Sequence, residues 1–292
     1  MIREFSKRFV LLGAILFLVH VGVAGGIKLR YGFQPQKQYK CRTIMEVTTL
    51  PDGSGNPEQA NVSVGLEMGI TLTVEKALKG EQFACNLALD TLAMQISAPD
   101  REKSAMPLEY LKWKSVRMIL DTRGVARNIV APDSASSKQA QQAVGFDLFS
   151  RELLSRMLVF LEFPENSLEV GESWSYSRTD TVVRDGRRMI AQRTTQCTLR
   201  ADSTIKNRFY HRIAFSTFAR IEGSVGSADV SIALKGTTTS DGTLFISMDG
   251  IPLMSSAHLD SEMRLGDVKT VKQRGTLETS LEKEVRMPPV VE

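Results

Sequence analysis

The chain of 292 residues contains three histidines, three cysteines and two tryptophans, and these shortages remove most of the chemistry a chain this long can carry. With His20 inside the apolar N-terminal segment, a nucleophile-and-base pair would have to use His211 or His258. His211 follows Phe209 and Tyr210 on a strand-like run and is expected to be structural, and His258 falls on a polar parity and is expected to be solvated. No Gly-x-Ser-x-Gly elbow occurs. Gly171-Glu-Ser-Trp-Ser175 lacks the final glycine and leads into a strand. Gly53, Gly55, Gly223 and Gly226 open no helix N-terminus, which excludes a phosphate cradle. Cys41, Cys85 and Cys197 are odd in number and far apart in sequence, excluding a full disulfide framework and a metal site. One Cys41–Cys85 disulfide stays open beside the reading of buried free thiols. The expectation is no catalytic residue, no metal and no cofactor, with a hydrolase of unrecognised type as the remaining enzymatic alternative.

Strong charge of one sign is also missing, since the formal net charge is +4. Three of the basic residues and one acidic residue lie in the first 24 positions, so the remainder is close to neutral. No electrostatic case for nucleic acid survives. The cluster of Arg184, Arg187 and Arg188 flanks Asp185-Gly186, a hairpin-turn dipeptide, and reads as a solvated tip.

What the sequence does have is an export segment. Arg3, Lys7 and Arg8 precede an apolar run from Phe9 to Val19, and Gly22-Val23-Ala24 supplies small residues suited to cleavage. Residues 1–24 are read as a signal peptide or as an N-terminal membrane anchor. In the second case residues 9–27 stay in the bilayer, and membrane contact runs through that segment alone. Both readings place the body of the protein outside the cytoplasm, periplasmic or extracellular.

Strand-like alternation fills the rest. Val62, Val64, Leu66, Met68, Ile70, Leu72 and Val74 share one parity, and Phe83, Cys85, Leu87 and Leu89 continue it after a turn at Lys79-Gly80-Glu81. Ser173-Trp174 begins a second series that runs to the C-terminus, with a reversal expected at Ser240-Asp241-Gly242 and an edge or open-faced strand along Ala257 to Leu265. Between the two series, Phe146, Phe149, Leu153, Leu154, Met157, Leu158 and Leu161 recur at helical steps and predict an amphipathic helix over 136–161. The expected fold is mainly β (α+β): a curved antiparallel sheet, or two similar β-rich halves joined by one amphipathic helix. The expected organisation is 1–24 signal or anchor, 25–131 first half, 132–163 linking helix, 164–285 second half and 286–292 tail. Ser115 to Asn128 and Gly242 to Ser255 match in pattern, each a strand, an Asp/Gly turn and a departing strand.

The stretch Phe163-Pro-Glu-Asn-Ser-Leu-Glu-Val-Gly-Glu-Ser-Trp174, with the later Gly242 to Phe245, resembles a family of exported bacterial β-rich proteins of uncharacterised function. The resemblance implies two β-rich halves and carries no activity. In architecture alone the plan is similar to the lipoprotein-carrier half-barrels of bacterial envelopes. The functional expectation is an exported envelope protein without catalytic activity that holds an apolar small molecule or lipid between sheet and helix, lined by Phe146, Phe149, Leu153, Met157 and Phe160. The alternative is a structural or interaction module that docks envelope proteins.

Overall fold

Side chains alternating in and out along a strand bury one face only if a second layer covers it, or if the sheet curls over its own face. This chain curls. The computed structural model describes residues 26–50, 62–98, 101–107, 116–130, 160–184, 187–227, 230–266 and 269–287. Twelve strands form one sheet: β1 (Lys37–Leu50), β2 (Ser63–Leu78), β3 (Gln82–Ala98), β4 (Arg101–Pro107), β5 (Val116–Asp121), β6 (Ala126–Val130), β7 (Ser173–Arg184), β8 (Arg187–Ile205), β9 (Arg208–Ser227), β10 (Val230–Ser247), β11 (Pro252–Leu265) and β12 (Lys269–Arg286). Eleven follow the order β6-β5-β3-β2-β1-β12-β11-β10-β9-β8-β7, and β4 pairs β3 beside that path. Every pairing is antiparallel.

The strand order shows two meanders with one plan. Read in one direction across the sheet, β6-β5-β3-β2-β1 repeats as β11-β10-β9-β8-β7, with β12 as the seam between β1 and β11. The expected match of turns holds within this plan. Gly124 (φ +91) ends the β5–β6 turn and Gly250 (φ +80) the β10–β11 turn, both in the left-handed region that glycine enters freely.

The curl follows from distance. From β5 to β7 is nine strand steps, which in a flat sheet would be about 43 Å at roughly 4.8 Å per step. Yet Arg178 of β7 donates a hydrogen bond of 3.4 Å to the Gly124 carbonyl in the β5–β6 turn. The two flanks of the sheet therefore meet. Packed between them are two lead-in segments, 27–33 before β1 and 160–168 before β7, paired to each other by the Ile27–Leu168 bridge. They are hydrogen-bonded to both glycine turns, Tyr31 N to Thr122 O at 2.6 Å, Gly32 N to Gly250 O at 3.1 Å and Phe163 N to Arg123 O at 2.8 Å. The core sits around them, with Met68, Ile70, Leu72 and Val74 of β2 at most 2% exposed. Each such side chain contributes about 1.5–3 kcal/mol by burial.

Several expectations are corrected. The fold is all β among the described residues, not α+β, and the meanders fuse into one sheet through β1–β12 pairing instead of being two halves joined by a helix. Most of the expected helix, including Phe146, Phe149, Leu153 and Met157, lies outside the described residues, and its last residues Phe160 and Leu161 are non-helical. Ser240-Asp241-Gly242 is no reversal but mid-β10. Gly242 is there for room, since a Cβ would run into the Ser256 carbonyl and the Phe215 ring. The strand Ala257 to Leu265 is open-faced, with His258, Asp260, Glu262 and Arg264 exposed, but it is no edge, being paired on both sides, and Arg286 of the expected tail pairs with Lys37. The N-terminal segment 1–25, the loop Pro51 to Pro57, Trp113, and Asp185-Gly186 also lie outside the described residues.

Candidate functional site

Aromatic side chains of the two lead-ins build a plug at the clasped end of the curl. The Tyr31 ring stacks on Phe163 at 4.5 Å and on Phe33 at 5.5 Å, while Phe160 stands edge-on to Tyr31 at 5.3 Å and to Phe33 at 5.8 Å. Such offset and edge contacts suit the ring quadrupole. Complete burial pushes the Tyr31 hydroxyl well above its ordinary range, and as a neutral group it donates to the Leu161 carbonyl at 3.3 Å. Tyr39 accepts from the Gln34 amide at 2.9 Å.

Charge closes the plug from the β7 side. The Glu162 carboxylate meets Arg178 at 3.2 Å and Arg123 at 3.4 Å. Its carbonyl accepts from the Trp174 indole at 2.7 Å, and Arg123 donates to the Phe163 carbonyl at 2.8 Å. Arg178 also lies over the Tyr176 ring at 5.6 Å. Side chains and lead-ins, instead of a β6–β7 ladder, hold the flanks together among the described residues.

Between the plug and the sheet lies a cavity of about 40 Å³, lined by Phe33, Phe160, Cys41, Leu72, Leu244 and Leu281 among others. That is room for a few waters, not a lipid. Cys41, Cys85 and Cys197 are free thiols, each pushed up to about 12 chiefly by burial. None is poised as a nucleophile. Among the described residues no cluster of His, Cys, Asp or Glu could hold a metal ion.

Past the plug the inner face continues, and its two walls differ. On β1, β2 and β3 it carries Met45, Leu66 and Met94 in one row and Val47, Val64 and Ile96 in the next. Leu66 is buried, but Met45, Val47, Val64 and Met94 are half-buried and Ile96 is exposed. On β7 to β10 the corresponding positions are Tyr176, Thr195, Thr217 and Ser240, then Arg178, Arg193, Ala219 and Thr238. Hydroxyls there pair with one another, Thr195 with Thr217 at 3.0 Å and Thr238 with Ser261 at 3.2 Å.

Of the five expected lining residues, the structure places Phe160, in the plug wall of the cavity. Tyr31 and Phe33 were missed in the sequence, although Ile27, Leu29, Tyr31 and Phe33 alternate with period two directly after the apolar N-terminal segment. The signal was there, merged with the end of a longer apolar run.

No family model and no curated protein matches the chain. Among solved structures, lipovitellin, determined for its lipid–protein interactions, aligns with a TM-score of 0.50 at 17% identity over 89% of this chain and 26% of that one. This chain thus spans about a quarter of lipovitellin's length. A Bacteroides fragilis protein of YmcC-like fold, named as a candidate exported protein, aligns over 88% of this chain and 99% of that one, at a TM-score of 0.22 and 7% identity. The likeness to lipovitellin is one of fold alone.

Proposed function

We propose that this protein is an exported, non-enzymatic binder of an apolar ligand or lipid, seated on the inner face of β1–β3 beyond the plug. One observation carries the reading. Met45, Met94, Val47, Val64 and Ile96 extend the buried face of β2 and β3 by two rows, yet all five keep solvent exposure among the described residues. Apolar surface arranged in a trough, with two flexible methionines, suits irregular hydrocarbon. A closed eight-stranded barrel has an interior just wide enough for its own side chains or one small ligand. Eleven strands in a curl offer more room, of which the plug fills one end. The lipovitellin structure, one of lipid–protein interactions, supports a sheet of this kind beside lipid, and Arg3 to Ala24 support export.

Native mass spectrometry of the full chain purified from its own host, with uptake of a fluorescent lipid, tests the proposal. A ligand adduct and saturable uptake are expected, with uptake lost in Met45→Glu, which places a charge in the trough. Recovery at the apo mass alone together with no uptake overturns it.

A second reading rests on the sheet flanks. The outward edge of β7 has no strand partner among the described residues, so a partner protein of the envelope could add a strand there. In-cell crosslinking from Ser175 should then return one reproducible protein, and a purely monomeric profile counts against it.

A further inference from the structure

Among the described residues the three most exposed large apolar side chains are Phe209 at 65%, Val170 at 54% and Met248 at 51%. All three lie at the clasped end. Met248 follows Ser247, the β10 partner of Tyr210, and so stands beside Phe209 where that register continues. Val170 precedes Gly171, whose amide bonds the Leu199 carbonyl of β8.

The β8–β9 hairpin projects from this place. β7 leaves β8 at Thr198 and β10 leaves β9 at Tyr210, yet the β8–β9 ladder continues to Ile205 and Arg208. Three residues past Tyr210 carry the tip about 10 Å beyond the flanking strands. No strand lies on either side of it among the described residues, so the projection buries no core.

Its charge is one-sided. From Arg200 to Arg212 there are four cations, Arg200, Lys206, Arg208 and Arg212, against one carboxylate, Asp202, which His211 engages at 2.9 Å. All four cations are exposed, and none is in an ion pair among the described residues. The turns at the foot of the hairpin carry Glu169, Glu172 and Asp249, and Glu172 caps the Glu169 amide at 2.8 Å. The outermost residues, Ser203 to Phe209, carry positive charge alone. The turn itself gives a second indication. Lys206 and Asn207 have φ of +49 and +62, a two-residue hairpin turn in which glycine or asparagine is at home. A lysine Cβ is strained there, so the turn gains nothing from Lys206.

We infer that the β8–β9 tip docks the protein onto an anionic lipid bilayer, with Phe209 entering the boundary between headgroups and acyl chains and Lys206 and Arg208 on lipid phosphates. Elements that lie in this interface bury about 5–10 Å, so a tip reaching about 10 Å brings Met248 to headgroup level. A convex projection bearing an aromatic ring and cations suits a bilayer, which needs no matching shape. The contact is separate from the trough and stands whether or not the trough holds a ligand.

Tryptophan fluorescence of full-length Phe209→Trp tests the docking, with Trp113 and Trp174 subtracted by reference to the unmodified protein. In vesicles of phosphatidylglycerol with brominated acyl chains the added indole should be quenched, and salt should reverse the quenching. Brominated phosphatidylcholine alone should quench it little. Lys206→Gln with Arg208→Gln in the same background should lower the bound-to-free ratio of the tip by about thirtyfold, the worth of two cations at a lipid surface. No quenching by phosphatidylglycerol, equal quenching by phosphatidylcholine, or an unaltered ratio in the neutralised variant overturns the inference. Absent quenching together with one protein crosslinked reproducibly from position 209 in cells assigns the hairpin to a protein partner instead. Should Phe209→Trp lose its thermal transition, protection of the Arg208–Phe209 bond from trypsin by the same two kinds of vesicle, read on the unmodified protein, decides alone.

Discussion

The two meanders share a strand order and a glycine turn, yet they use their inner faces differently. In the first, burial runs along β2 from Leu66 to Val74 and along β3 from Cys85 to Leu92. In the second, apolar burial stops at Cys197, Phe215 and Leu244, and paired hydroxyls take over one row further out. The backbone plan therefore does not dictate the chemistry of the face. An inner Thr or Ser costs little where its hydroxyl finds a cross-strand partner, because the pair satisfies itself without water. One wall is thus apolar along its length, and the other carries paired hydroxyls beyond its buried rows.

The comparison can be broken most forcefully at the plug, on which both walls depend. Phe163→Ala removes a fully buried ring stacked on Tyr31 and should cost about 3–5 kcal/mol by denaturant unfolding. A cost below that of a surface substitution would mean the plug is not the shared core. The next test contrasts the walls. Met68→Ala on β2 should cost about 2–5 kcal/mol, whereas Thr195→Ala on β8, which strands the Thr217 hydroxyl, should cost about 1 kcal/mol. Equal costs would erase the distinction between them.

Glu162→Gln addresses the clasp between the meanders. Its side chain is 21% exposed, so the loss should fall between the roughly 1 kcal/mol of an exposed pair and the about 3 kcal/mol of a buried one, measured by thermal unfolding with and without added salt. The salt dependence of the unmodified protein should shrink in the variant. Finally, Cys85 in the first meander and Cys197 in the second should respond alike to alkali. In the unfolded chain they ionise near the ordinary value of 9.0, but in the fold they stay protonated until about 12. The unfolded chain therefore binds fewer protons between those limits. Stability is untouched by these thiols below pH 9 and falls as pH rises toward 12, by about 1.4 kcal/mol per pH unit for each. Cys85→Ala and Cys197→Ala should flatten that fall equally. A flattening by only one of them would show that the two walls do not exclude water equally.

Legibility in the sequence followed the physical origin of each signal. The alternation from Val64 to Val74 was readable because one face of β2 is buried along its length and the other is not. The β5–β6 and β10–β11 turns were readable because Gly124 and Gly250 sit at a backbone conformation other residues avoid. Gly242 misled for the same reason in reverse: its glycine serves the approach of Phe215 and Ser256, and Asp241 beside it counterfeits a turn. At the site, Phe160 was legible as part of an apolar series, but its partners Tyr31 and Phe33 come from 127 or more residues away. Nothing local encodes that meeting. Arg178 and Arg193 likewise become neighbours only through the β7–β8 register, and each alone reads as one arginine among many.

The clasp at Arg178, Glu162 and Gly124 has a further mechanical meaning. A barrel hydrogen-bonded all round has its diameter fixed by strand number and stagger. Among the described residues the circuit is completed by side chains and the lead-ins, so the girth can increase without the loss of any interstrand ladder bond. The molecule is a collar with a buckle.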